Sequence, residues 1–244
     1  MTTLLALIAA LTAAQFSTLW DRNIPVITVQ SSRGNVAAIV DTGGVTELKA
    51  RRPDDFATYY HGLPVESAMG ADFLLTHAVR AGSADARGTP KMVPLHVQTA
   101  KRLTSAFVDC TIAGNRYRML FDTAALSWRS SDAAHSTPYG VIFLRGDVFD
   151  QLRKANPAWP FEERAETIAD DRGGFAQAAS MVAPVTKCGG IIARNRLIVR
   201  RAGIATFAYM KKIFGEDVQG DASLSAFGAR AVEIDFPHRV LRIW

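Results

Sequence analysis

At 244 residues, the chain has room for one large domain or two small ones. With 48% apolar and 21% charged residues, it can bury a sizeable core, which excludes wholesale disorder. Its 28 Lys+Arg against 23 Asp+Glu leave a mild +5, scattered as Arg51/Arg52, Lys101/Arg102, Arg200/Arg201 and Lys211/Lys212; without a basic stripe interleaved with aromatics, no nucleic-acid partner is expected.

The first feature in chain order is an apolar run, Leu4 to Ala14 (LLALIAALTAA). Its length suits the apolar core of an export signal and falls short of a membrane span. Met1-Thr2-Thr3 lacks the usual basic start. Residues 1–22 therefore read as a signal-like or simply hydrophobic N-terminal segment. The protein is then either exported (periplasmic or secreted) or cytoplasmic. No later run reaches spanning length, so no other membrane segment is expected.

Two stretches share one design. Ile24 to Gln30 (IPVITVQ) reads as a strand, Ser31 to Asn35 as a turn, and Val36 to Val40 as a second strand running into Asp41-Thr42-Gly43-Gly44. Phe107 to Ile112 (FVDCTI) and Arg116 to Phe121 repeat the plan around Ala113-Gly114-Asn115, running into Asp122-Thr123-Ala124-Ala125. Gly-Asn suits the positive-φ positions of a hairpin turn. Each acid follows the most hydrophobic part of its strand.

Helices are expected over Pro53 to Tyr60, stopped by Gly62, and over Asp147 to Leu152, stopped at Asn156-Pro157. A third is expected around Ile204, Phe207, Met210 and Phe214, ending at Gly215. Near the C-terminus, Val232, Ile234 and Phe236 alternate with Glu233 and Asp235, and Pro237-His238 turns the chain into a final strand, Arg239 to Trp244. Gly82 to Pro90 and Asp170 to Gly174 are polar and suit loops or hairpin tips. Lys101-Arg102 marks a junction between halves.

An Asp at the end of a buried strand is costly unless its charge is hydrogen-bonded or shared. If Asp41 and Asp122 meet, repulsion between like charges makes the pair hold one proton, and it titrates as a unit. The ionised member can then deprotonate water while the protonated one polarises an amide carbonyl. Thr42 and Thr123 offer hydroxyls to stiffen the loops, and Gly43 permits close backbone approach.

Ile39-Val40-Asp41-Thr42-Gly43 and Leu120-Phe121-Asp122-Thr123-Ala124 resemble the hydrophobic-hydrophobic-Asp-Thr-Gly signature of aspartic proteases, the pepsin and retropepsin-like group. The tail from Val218 through Asp221-Ala222-Ser223-Leu224 to Ile234-Asp235-Phe236-Pro237 and Val240-Leu241 resembles that group's closing segment, with Asp235 a structural residue. The resemblance is best over 107–244 and thinner over 24–97. It implies a mostly β, closed-barrel aspartic-protease-like fold of two β-rich lobes with a few short helices. The lobes would be 23–100, carrying Asp-Thr-Gly, and a retropepsin-like 101–244. Asp41 and Asp122 would be the catalytic pair, with Thr42, Gly43, Thr123 and Ala124 supporting the acid loops. Flaps around Gly82 and Gly88 and around Gly173 and Gly174 would close on a peptide or protein substrate. Neither metal nor cofactor is implied, because water is the nucleophile. The protein would be a monomer if the lobes pair internally. It would be a homodimer if 101–244 is the complete fold and two copies of Asp122 meet.

Three departures stand out. Ala124 replaces the second signature glycine. Asp221-Ala222-Ser223 replaces the hydrophobic-hydrophobic-Gly element that crosses beneath the acid. The only similar string in the first half, Ala68 to Leu74, follows Asp41 more closely than the family's spacing. These departures leave a second reading open, a protease-like domain that binds extended peptides or proteins without cleaving them.

Other chemistries find little support. His61, His77, His96, His135 and His238 show no metal-ligand spacing. Ser127 and Ser180 lack a nucleophile elbow, and Gly173-Gly174 and Gly189-Gly190 form no phosphate loop. The two cysteines, Cys110 and Cys188, exclude a disulfide scaffold and an all-cysteine zinc site. One bridge or two free thiols both remain open.

Overall fold

A computed structural model describes residues 18–21, 24–31, 34–43, 59–60, 63–76, 78–82, 87–101, 103–129, 138–169, 174–202, 205–229 and 231–244. The elements in chain order are β1 (Thr18–Asp21), β2 (Ile24–Ser31), β3 (Gly34–Asp41), β4 (Tyr59–Tyr60), β5 (Leu63–Gly70), α1 (Ala71–Leu74), β6 (Ala78–Gly82), β7 (Lys91–Pro94), β8 (His96–Ala100), β9 (Leu103–Ile112) and β10 (Asn115–Phe121). There follow β11 (Leu126–Trp128), β12 (Tyr139–Gly140), β13 (Ile142–Arg145), α2 (Gly146–Ala155), β14 (Phe161–Ala169), β15 (Phe175–Cys188), β16 (Ile191–Arg201) and α3 (Ala205–Phe214). The chain closes with β17 (Gly220–Ala222), a 3-10 helix (Leu224–Phe227), β18 (Ala231–Asp235) and β19 (Val240–Ile243).

The architecture corrects the expected mostly β closed barrel. The fold is mixed α/β, with strands in sheets of five, ten and four and three short α-helices among the described residues. Within the largest sheet, six strands pair in a ring, β9-β10-β17-β13-β16-β15, completed by β15 against β9. It is not a closed barrel: β8 continues beyond β9, while β14, β11 and β12 continue beyond β15. The helices follow from the pairing directions. β10 with β17 and β13 with β16 run parallel. Parallel neighbours need long crossovers, usually with a helix, and α2 and α3 lie within these two connections.

Both expected hairpins form. β2 pairs antiparallel with β3 and β9 with β10. The turn chemistry differs from expectation in the second, where Ala113 (φ 50°) and Gly114 (φ 81°) carry the positive angles and Asn115 already belongs to β10. The helix expected over 53–60 is corrected in part. Tyr59–Tyr60 is a strand beside β5, and 53–58 lie outside the described residues, as does the apolar run 4–14.

α2 matches its expected stretch, burying Val148, Phe149 and Leu152 and carrying Asp147 in its first turn and Arg153 and Lys154 in its last, charges that complement the helix dipole. α3 buries Phe207 and Met210 against Phe107, Leu120 and Val218 and stops at Gly215, whose φ of 74° needs no Cβ. Among the described residues, no helix is long and apolar enough to cross a membrane.

Strand pairing binds the first half to the second, and a disulfide staples the second half internally. β6 and β7, from before residue 100, flank the C-terminal hairpin in the order β6-β18-β19-β7. Cys110 and Cys188 form a disulfide across 78 residues of sequence, joining cross-strand partners on β9 and β15. On the chain-entropy account such a link is worth roughly 4–5 kcal/mol at 25 °C. One buried cluster contains Val40 and Phe121 together with Leu74, Ile142 and Leu224. Because Val40 and Phe121 immediately precede the two acids, a shared core delivers both loops to one place.

Candidate active site

Each acid sits on the same local scaffold. β3 lies between its hairpin partner β2 and the parallel strand β5, with Val40 opposite Met69 and Asp41 opposite Gly70. β10 lies between β9 and the parallel strand β17, with Leu120 opposite Asp221 and Phe121 opposite Ala222. The string Ala68 to Leu74 is thus the first-half counterpart of Asp221 to Phe227: it leads from β5 into α1, as Ala222-Ser223 leads from β17 into the 3-10 helix.

The loops after the strands interlock through their threonines. The Thr42 N–H donates to Thr123 Oγ1 at 3.1 Å, and the Thr123 N–H donates to Thr42 Oγ1 at 3.0 Å. The Thr42 hydroxyl donates to the Phe121 carbonyl at 2.7 Å, and the Thr123 hydroxyl donates to the Val40 carbonyl. Both threonines are fully buried. Each hydroxyl therefore accepts from the opposite loop and donates to the opposite strand, which leaves no buried partner unsatisfied.

Above this lock the two acids converge, the Asp41 side chain being among the groups that act on the Asp122 carboxyl. The Gly43 N–H donates to Asp41 Oδ1 at 3.0 Å, and the Ala124 N–H donates to Asp122 Oδ1 at 2.8 Å. Burial pushes the Asp122 carboxyl above its usual range. The positive charge of Arg201, the Ala124 N–H and the Asp41 side chain oppose that rise in part. Two such carboxyls in one low-dielectric site do not readily ionise together, which is the condition for sharing a proton.

The two signature positions after the threonines are not equivalent. A Cβ on Gly43 would lie 2.7 Å from Asp122 Cγ and 2.8 and 2.9 Å from its oxygens, so glycine is required there by close approach. Ala124 is not among the positive-φ residues, so its methyl carries no backbone strain.

Arg201 and Asp221 were not foreseen as site residues. Arg201 Nη1 lies 2.9 Å from Asp221 Oδ2, and Asp221 is fully buried. In sequence, Arg201 is half of one of several scattered basic pairs, and nothing local sets it apart from the others. Beneath Asp122, whose N–H donates to the Ala222 carbonyl at 3.1 Å, Ser223 takes the place occupied in the first half by Gly70. Its Oγ accepts from the Ser225 N–H at 3.2 Å.

Glu166 was likewise missed. Fully buried on β14, it accepts from Ser127 Oγ at 2.7 Å, from Arg129 Nη1 at 3.0 Å and from the Tyr139 hydroxyl. Ser127, on β11 just beyond the acid loop, is thereby tied to the β14–β15 hairpin. Phe175 at the start of β15 packs edge-on against the buried Trp128 ring at 5.4 Å. Of the two expected flap pairs, Gly174 lies at this hairpin's tip, half-buried, while Gly173 is outside the described residues. Gly82 ends β6 opposite Ala231, and the Gly88 carbonyl accepts from Trp244 Nε1 at 3.0 Å; both belong with the C-terminal hairpin.

Among the described residues, no group of three or more His, Cys, Asp or Glu is placed to hold a metal ion. His238 Nδ1 instead pairs with Asp235 at 2.8 Å. A cavity of about 520 Å³ between α2 and the β14–β15 hairpin is lined by Phe149, Arg153, Phe161, Ile168 and Gln177, and its lining includes neither acid of the pair. No protein-family model matches the chain, and no curated protein matches it in sequence.

Proposed function

We propose that the protein is an aspartic-type endopeptidase that uses Asp41 and Asp122 as its carboxyl pair and water as its nucleophile. The single observation carrying this reading is the convergence of the two acids on loops locked by reciprocal threonines, with Gly43 packed directly against the Asp122 carboxyl. In the singly ionised pair, the carboxylate takes a proton from water as its oxygen attacks the peptide carbonyl carbon, and the protonated partner donates to the carbonyl oxygen. Collapse of the tetrahedral intermediate breaks the C–N bond: one acid gives its proton to the leaving amine while the other takes a hydroxyl proton from the intermediate, which restores the singly ionised pair. The β14–β15 hairpin, tied to the second acid loop through Glu166–Ser127 and Phe175–Trp128, is the candidate lid. The acid pair is complete within one chain, and the Cys110–Cys188 disulfide favours an oxidising, exported setting.

The test is incubation of the full chain with a diverse peptide mixture from pH 2 to 8, with products read by mass spectrometry. Cleavage abolished by both Asp41→Asn and Asp122→Asn is the expected result; no cleavage at any pH overturns the reading. The alternative of peptide binding without cleavage draws on Ser223 and the Arg201–Asp221 pair beside Asp122, both departures from the first half. It predicts that an extended peptide binds and is recovered intact.

A further inference from the structure

We propose that Arg201, anchored by Asp221, is a positioning residue for the acid pair: its fixed positive charge beside Asp122 keeps the pair singly ionised down to a lower pH than two adjacent carboxyls would otherwise allow. This rests on the endopeptidase reading for its consequence, but not for its measurement.

The geometry starts from strand alternation. Leu120 and Asp122 point to one face of β10 because side chains alternate. The parallel register sets Asp221 opposite Leu120 and the antiparallel register sets Phe143 opposite Asp221, so Asp221 and Phe143 share that face. Val199 lies opposite Phe143, which puts Arg201, two residues on, on the same side. Its guanidinium carbon sits 5.3 Å from the centre of the Phe143 ring, and its Nη1 lies 2.9 Å from Asp221 Oδ2. Phe143 thus carries the guanidinium from the end of β16 across to β17, to the face where Asp122 emerges.

Two other charged groups on the neighbouring strands are engaged elsewhere. Glu166 on β14 is engaged by Arg129, Ser127 and Tyr139. Arg145 at the end of β13 is engaged by Asp147 and the Val218 carbonyl. Asp41 is the other member of the pair. A buried Asp beside a buried strand end is expensive unless compensated, and in the first half the matching place is held by the neutral, buried Ala68. The charged couple therefore occupies a place that the same scaffold fills without charge.

The experiment measures the titration of the Asp41 and Asp122 side-chain carboxyls by carbon-13 NMR in the intact protein, with the pH dependence of kcat/KM as the second readout. Three variants are compared: Asp221→Asn, the double variant Arg201→Gln/Asp221→Asn, and Arg201→Lys. Asp221→Asn leaves the cation unbalanced and should move both apparent pKa values of the pair down. The double variant removes the cation and should move both up by about one pH unit. Arg201→Lys keeps the charge and should leave the titration near that of the parent. Displacements of opposite sign are not produced by a merely structural role. Superimposable titrations in Asp221→Asn and the double variant overturn the proposal. A parent protein that cleaves nothing defeats the endopeptidase reading alone, because the carboxyl titration still decides this one.

Discussion

The two acid loops are built alike and finished differently. Each rises from a hairpin strand flanked by a parallel strand, and each threonine satisfies the other's loop. Around that symmetric base, the first loop has Gly43, Gly70 and Ala68 where the second has Ala124, Ser223 and Asp221. The first half is small and uncharged beneath its acid, whereas the second carries a buried carboxylate and its arginine. The comparison teaches that the backbone scaffold needs symmetry to bring two acids together, while the environments of the acids do not. Two chemically identical side chains can thereby be given different proton affinities.

The largest expected effect tests the symmetric part. Asp41→Asn and Asp122→Asn should each lower kcat/KM for peptide cleavage by about 10³-fold or more, since in the proposed endopeptidase both carboxyls act on protons in the transition state. A variant of either kind that keeps a tenth of the parent rate would break the comparison.

Next is the asymmetry at the signature position. Gly43→Ala drives a methyl into Asp122 and should cost about 10²-fold in kcat, as displaced reacting groups do. Ala124→Gly should stay within about threefold of the parent. Equal losses from the two would show that the second loop also needs close approach.

The threonine lock should register as stability. Thr42→Val or Thr123→Val leaves one N–H and one C=O of the opposite loop buried without a partner, at a cost of about 2–4 kcal/mol, read as a lowered denaturant midpoint. A pair of unequal costs would locate the weaker side of the lock.

The smallest effects are opposite pH trends in two carboxyls. Burial first, opposed by Arg201 and hydrogen bonds, leaves Asp122 raised. Its contribution to stability is therefore complete below the unfolded carboxyl value of about 4 and is lost as pH rises through the higher folded value. Asp122→Asn should raise Tm at pH 7 relative to the parent, with the gain fading toward pH 3. Asp235 runs the other way. Burial alone would raise it, but hydrogen bonds from Arg242 and His238 outweigh burial and leave it lowered. Its contribution is present above the unfolded value and lost as pH falls through the folded one. Asp235→Asn should lower Tm at pH 7 and matter less in acid.

Much of the local structure is legible along the chain. The alternation Val232-Ile234-Phe236 marks β18, the spacing Phe207-Met210-Phe214 marks α3, and the apolar strands ending at Asp41 and Asp122 mark both hairpins. What escapes is pairing between distant segments. Tyr59–Tyr60 becomes a strand because β5 offers it an edge. Gly82 ends a strand because β18 lies beside it, and no local pattern announces either neighbour. The closed barrel fails for the same reason: nothing in a strand's own residues states that β9 meets β15 while β14, β11 and β12 continue outward.

By itself, the sequence determines where apolar strands end in an acid and a threonine, because side-chain periodicity and turn chemistry act over a few neighbouring residues. Only the tertiary structure decides that Asp41 and Asp122 share a site, that Cys110 bonds Cys188, and that Arg201 stands beside Asp122 on the support of Asp221. Those outcomes depend on parallel crossovers and a common core that bring together segments about eighty residues apart, a distance over which local patterns carry no information about which groups will meet.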